Sequence, residues 1–583
     1  MQRKKSGLLD YCIDADESRF EVRVQIVPEE PGLEYLEIAL HAEQEEKLPE
    51  VRVSWTVPHC DIQGIWRPDG AEYPLPNVWG RAERTEATFS APVACLFAFS
   101  GRNRCTVAFS DAQELLEQKW ALREEDVCWA YEARLFCAPE EDASDRTVRF
   151  RIDLRDIAYE ESLNGVAQWW QEIHGQRKIP DFCRLPTYST WYSYHEAPES
   201  AQLERQARLA SAVGCRNMIL DDGWQMEDSS RSYRYCGDWK VCEKEFPDMR
   251  EHVRAVHKTG LKYMVWFAVP FVGKYSQAWE RFQGMFLPGD GDTRCLDPRY
   301  PAVRAYLLER ILGAAADWRI DGCKLDFIDW FRQPEREDPE ALPGRDFRSV
   351  SRAVVRLLEE MRECAARNHP EFAMEFRQSY TGPVMRRFAT MFRVADCPGD
   401  FRQNKVCAIN LRLLAGATPV HSDMLLWHTQ ENAREVALQL QHILFCVPQI
   451  SVRLEEMQED VAATLRYWLA FWTEHRGLLL DGTLRAEHPE MGYSCICAER
   501  ARERMIAIYA EGCIDLSGKA AMQTIVNARR EKGVVCRLKQ AAAMHVVIRN
   551  YRGQIVEESL QTREGLFELA IPGCGLAQLS CVP

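Results

Sequence analysis

The sequence predicts a multidomain chain: a central (β/α)8 barrel, an N-terminal β-sandwich and a small C-terminal β-sandwich. Three observations predict it. Short alternating strands fill the first 165 residues. Apolar strands then alternate with amphipathic helices eight times over roughly 178–480. From about Asp481 the helices stop and short strands return.

In the first segment (1–165), Phe20, Val22, Val24 and Ile26 alternate with polar residues, as do Val51, Val53, Trp55 and Val57. Loop chemistry interrupts at Arg67–Gly70 and Tyr73–Pro76, flanked by Trp66 and Trp79, for which simple packing is the favoured role. A helix pattern at Leu163–Ile173 leads into the barrel segment (178–480). Its strands are expected at Thr187–Tyr194, Asn217–Leu220, Leu261–Val269, the stretch Asp321–Trp330, Phe372–Phe376, Met391–Ala395, Ala417–His421 and Ile443–Gln449. A doubly wound sheet is disfavoured because no Gly-rich phosphate loop follows the first strand. The acidic stretch Pro334–Asp346 reads as the loop after the fourth strand. The last segment (481–583) is expected to be an antiparallel β-domain.

Composition excludes several roles. The chain has 583 residues, 73 Lys and Arg against 88 Asp and Glu, and a formal charge of −15, without a basic block. Nucleic acid and anionic membranes are therefore not expected partners. No apolar run reaches the length of a membrane span, and the N-terminus lacks a signal-peptide pattern. The 22 cysteines are scattered and contain no CxxC pair, which points to a reducing, cytoplasmic setting without zinc.

Active sites of such barrels lie at the C-terminal ends of the strands. That rule selects Asp221 and Asp222, Trp266, Lys324 and Asp326, Glu375, Arg377 and Gln378, Arg393 and Asp396, then His421 and Asp423. Lys324 and Asp326 leave the same strand face, and the cation favours the ionised carboxylate. Asp396 follows apolar Val394-Ala395, a setting expected to raise its pKa. Two facing carboxylates suit glycoside cleavage, one attacking and one protonating the leaving oxygen. Asp221 and Asp222 are left to bind sugar hydroxyls, and Trp266 to offer an aromatic face. Singly, each residue also has a plain structural role: Asp222-Gly223 as a turn, Lys324–Asp326 as an ion pair, Asp423 as a helix cap.

Met218-Ile-Leu-Asp-Asp-Gly-Trp-Gln225 resembles the signature of the α-galactosidase clan, glycoside hydrolase families 27 and 36. Gly237-Asp-Trp239, Lys244-Glu-Phe-Pro247 and Leu296-Asp-Pro298 resemble the segments that follow in family 36. Lys324-Leu-Asp326 resembles its nucleophile motif, and Arg393-Val-Ala-Asp396 its acid/base motif. The resemblance implies Asp326 as nucleophile, Asp396 as acid/base, and Asp221, Asp222, Trp266, Lys324 and Arg393 around the sugar. One departure stands out. Glu375-Phe-Arg-Gln-Ser-Tyr380 replaces a Cys/Gly-rich turn, so Arg377 and Gln378 are expected to touch the substrate and alter the sugar preference. The expected activity is that of a retaining α-galactosidase on oligosaccharides or glycosides, without metal or cofactor, as a monomer or homo-oligomer. Alternatives are a related α-glycosidase such as an α-N-acetylgalactosaminidase, a raffinose-synthase-like transglycosylase, or a non-catalytic carbohydrate-binding protein.

Overall fold

The computed structural model describes residues 1–68, 80–138, 140–225, 232–334, 343–518 and 520–581. Tyr73–Pro76, Trp79 and residues 335–342 of the acidic stretch lie outside them.

Eight parallel strands form the central sheet: β1 (Thr187–Ser189), β2 (Asn217–Leu220), β3 (Lys262–Ala268), β4 (Gly322–Asp326), β5 (Ala373–Arg377), β6 (Met391–Arg393), β7 (Val420–His421) and β8 (Gln449–Ile450). β8 pairs with β1, and single parallel bridges, His421↔Val447 and Leu425↔Ile450, close the ring between β7 and β8. Helices Ser200–Val213, Met249–His257, Pro301–Trp318, Val350–Asn368, Phe401–Leu414, Ala433–His442 and Glu459–Asp481 lie between or after the strands. Their apolar residues join those of the strands in one core.

Two strand expectations need correction. The first strand ends at Ser189, and Trp191–Tyr194 winds into a helical turn. The apolar run Ile443–Val447 is not the eighth strand. It continues helix Ala433–His442 through a turn, and the strand is only Gln449–Ile450. A short apolar run fits a buried turn as well as a buried strand, and periodicity alone cannot separate them.

The N-terminal region folds as two six-stranded antiparallel sheets. Cys128–Leu135 pairs with Val51–Pro58 in one, and Ala143–Asp153 with Leu33–Glu46 in the other. Their facing residues, among them Leu36, Trp55, Tyr131 and Phe150, share one core. The helix after them is Tyr159–His174, so a boundary at 165 would cut it. Its Leu163, Val166 and Trp170 already pack into the barrel core. Trp66 is also buried there, and its Nε1 donates to Asn410 and Tyr493.

The C-terminal region is a single sheet, but not a purely antiparallel one. Glu503–Ile508 runs parallel to Met522–Asn527, and Cys513–Asp515 parallel to Val534–Arg549. The chain crosses over between residues 508 and 522 instead of turning back as a hairpin, which makes the first of these pairs parallel. No helix among the described residues is long and apolar enough to cross a membrane, and none of the 22 cysteines, all of them among the described residues, is in a disulfide.

Candidate active site

β4 is buried along its whole length. Lys324 and Asp326 point to one side of it, Cys323 and Leu325 to the other. Asp326 receives donors on both oxygens. Trp266 Nε1 donates to Oδ2 at 2.9 Å, while Arg377 Nε at 2.6 Å and the Phe327 N–H at 2.7 Å donate to Oδ1. Lys324 Nζ stands 3.6 Å from Oδ2. Burial by itself would push the Asp326 pKa up. The charges of Arg377, Lys324 and Arg393 and the Trp266 N–H outweigh it and hold the carboxyl well below the usual range. Phe327 has φ +62, a left-handed conformation that costs a non-glycine residue about 1 kcal/mol.

The turn after β2 places two more acids. Asp221 is spent internally: Lys324 donates to its Oδ2 at 2.7 Å and the Asp222 N–H to its Oδ1 at 3.0 Å. Asp222 differs. Its Oδ1 accepts from Gly223 and Gln225, while Oδ2 is buried with no partner. Burial raises its pKa to about 7. Gly223 is required in this turn, because its φ is +105 and a Cβ would lie 2.6 Å from the Glu196 Cα.

Arg393, fully buried at the end of β6, binds Asp423 and Asp396, each at 2.8 Å. Asp423 also accepts from Tyr192 and from the Cys397 N–H. Asp396 is the most open carboxylate of the group, its side chain 54% exposed. It lies near enough to Asp326 and Lys324 to feel both charges. Its pKa runs opposite to the expectation. Burial raises it, but Arg393 and then Lys324 outweigh this, and the net shift is downward. The apolar neighbours Val394 and Ala395 matter less than the guanidinium three residues back. Glu375 lies deeper, accepting from Gln449, and burial raises its pKa. His421 is buried against the Cys183 carbonyl, and burial lowers its pKa to about 4, which keeps the ring neutral.

Three expected contact residues sit differently from the sequence reading. Trp266 does not offer an open face: the ring is 2% exposed, is stacked on Tyr233, and presents its N–H to Asp326. Arg377 lies against Asp326 itself and reaches Asp329 at 3.3 Å, between the rings of Phe327 and Tyr380. Gln378 uses its Oε1 to accept from the Ala395 N–H, bracing the segment that carries Asp396. Sequence reasoning passed over Asp329, Tyr380, Tyr192 and Tyr233. Asp329 stood inside the Asp321–Trp330 stretch, and Tyr380 ended the segment noted as unusual. Tyr192 and Tyr233 carried no signal. Among the described residues, no three His, Cys, Asp or Glu side chains converge as a metal-ligand set.

No protein-family model matches the chain. Among curated proteins, α-galactosidase Mel36A of Lactobacillus acidophilus is 25% identical over 185 residues, 29% of this chain and 24% of that protein. α-Galactosidase 1 of Pediococcus pentosaceus is 26% identical over 199 residues, 32% and 26% of the two chains. The chain thus spans about a quarter of the length of these relatives. Solved structures match far more of it. The family GH36 α-galactosidase AgaA of Geobacillus stearothermophilus superposes with a TM-score of 0.64, at 15% identity, over 98% of this chain and 89% of that one. The chain is similar in fold to the glycoside hydrolase family 36 α-galactosidases. AgaB of the same organism matches all of this chain and 86% of its own, with a TM-score of 0.63 at 16% identity. One AgaA variant structure contains stachyose. The likeness to these solved structures covers both flanking regions as well as the barrel.

Proposed function

We propose that the chain is a divergent family 36 enzyme, a retaining α-galactosidase that hydrolyses terminal α-galactosyl residues of oligosaccharides by double displacement. The observation that carries this reading is Asp326, an ionised carboxylate at the C-terminal end of β4, flanked by Lys324 and Arg377. In this reading Asp326 attacks the anomeric carbon while Asp396 protonates the glycosidic oxygen. Asp396 then takes a proton from water, which opens the glycosyl-enzyme. In the free protein Asp396 is held ionised by Arg393. A sugar seated over its exposed side chain removes water and shifts it towards the protonated form. The unpartnered oxygen of Asp222 is ready for a sugar hydroxyl, and Lys324, Arg393 and Trp266 hold the acids in place.

Arg377 favours a second reading, a related α-glycosidase of different sugar preference. Its guanidinium stands on Asp326, in a segment where the family pattern that the chain resembles has a Cys/Gly-rich turn, so the space beside the sugar's 2-position is expected to differ. We assign the residues before helix Tyr159–His174 to an N-terminal β-sandwich domain, that helix through helix Glu459–Asp481 to the catalytic barrel, and the residues after it to a C-terminal β-domain. The abundance of free thiols supports a cytoplasmic location.

Asp326→Asn keeps the shape and removes the nucleophile. Turnover of an aryl α-galactoside is expected to fall by about 10³-fold or more. A variant within tenfold of the wild type would refute the assignment. In the wild type, NMR of the first-formed sugar should show the α-anomer. Rapid cleavage of a different aryl α-glycoside, with the galactoside inert, would select the second reading.

A further inference from the structure

The C-terminal sheet ends in a long strand with an open side. Ile555–Leu569, 15 residues, pairs among the described residues only with Val534–Arg549. Its other edge presents a row of backbone N–H and C=O groups about 50 Å long. Folded proteins blunt such edges with proline, lysine or strong bulges. This strand has no proline and no lysine; its pairing shifts register near each end, at Ile555/Glu557 and Arg563/Gly565, and is regular from Glu557 to Arg563. Leu560 and Leu566 are each 70% exposed on it, with Ile555 and Val556 about half exposed.

Its sequence is its own antiparallel complement about Leu560. Around that point a second copy would place Glu557 opposite Arg563, Glu558 opposite Thr562, Ser559 opposite Gln561, and Leu560 opposite Leu560. Glu557, Ser559, Gln561 and Arg563 share one face, where they already form a ladder: Arg563 donates to Gln561, and Gln561 to Ser559 and Glu557. Two-fold pairing converts that ladder into two symmetric Glu–Arg contacts. It also buries the two leucines against each other on the opposite face.

We propose that Ile555–Gly565 is a homodimerisation edge, pairing antiparallel with the same strand of a second copy to make one continuous sheet. The partner is this chain because the charge pattern matches itself in this register. The strand lies outside the barrel, so the proposal does not depend on the reaction assigned to it.

The test is the mass of the full chain by sedimentation at micromolar concentration. The wild type is expected to be a dimer. Arg563→Glu places Glu opposite Glu twice and should weaken association by about tenfold or more. Leu560→Asp should do the same. The charge-exchanged variant Glu557→Arg/Arg563→Glu should restore the dimer. All positions are exposed, and circular dichroism checks that each variant folds. A monomeric wild type overturns the proposal. So does a mass unchanged in both Arg563→Glu and Leu560→Asp, or a charge-exchanged variant that stays as dissociated as Arg563→Glu.

Discussion

Asp326 accepts from Trp266, Arg377 and Phe327, which come from three different segments of the chain. Such charge-assisted bonds are short and orienting. Arg377 therefore acts on the carboxylate as well as on whatever binds beside it. Arg377→Ala is expected to lower kcat by about 10–100-fold, because the carboxylate proposed to attack loses its orientation. It should also move the acid limb of the kcat/KM profile to higher pH, since the charge that depresses the Asp326 pKa is gone. Arg377→Lys should not restore the rate, because a single ammonium cannot span Asp326 and Asp329 as the guanidinium does. An acid limb that stays in place in Arg377→Ala would count against this role.

The strands show how far the sequence can be read. β4 ends on the acid that flagged it and β2 one residue before its pair, because a buried strand running into a carboxylate is a strong local pattern, whereas β6 stops at Arg393, three residues short of Asp396. β8 carried no such pattern, since its two residues follow an apolar turn that mimics a strand. The candidate site divides in the same way. Asp221, Lys324, Asp326 and Arg393 were legible from position alone. That Asp221 is consumed by Lys324, or that Gln378 braces Ala395, depends on contacts between strands that no local pattern encodes. The Gln378 contact can be tested. Gln378→Ala frees the segment holding Asp396, and turnover of substrates with poor leaving groups should fall about tenfold or more, as expected under the proposed acid role of Asp396. Cleavage of a dinitrophenyl glycoside, whose leaving group needs no proton, should change little. Equal losses on both substrates would assign Gln378 to sugar binding instead.

Across the whole molecule, the N-terminal sheets meet the barrel through acids that are costly to ionise. Glu114 accepts from Ser349 and Arg352 of the barrel. Beside it, Glu140 has two buried oxygens without hydrogen-bond partners, and burial together with Glu114 and Asp111 raises its pKa to about 9. The sign follows from proton binding. An acid whose folded pKa exceeds its unfolded value of about 4.3 binds more protons when folded, so stability falls as pH rises between the two values. The melting temperature should therefore decline from pH 5 towards pH 9. Glu140→Gln should decline less steeply, and the gap between the two proteins should widen with pH. Parallel curves would show that Glu140 takes no part in this.

Trp66 donates to Tyr493, which follows it by 427 residues. A ribosome adds about 5–20 residues per second, so that partner emerges roughly 20–85 seconds later. Throughout that interval Trp66, on the barrel-facing side of the N-terminal sheets, lacks this hydrogen-bond partner, although helix Tyr159–His174 follows the sheets directly and covers part of that side. The newborn chain thus completes this side late in its synthesis, and its yield in a cell is expected to depend on what shields the uncovered part meanwhile.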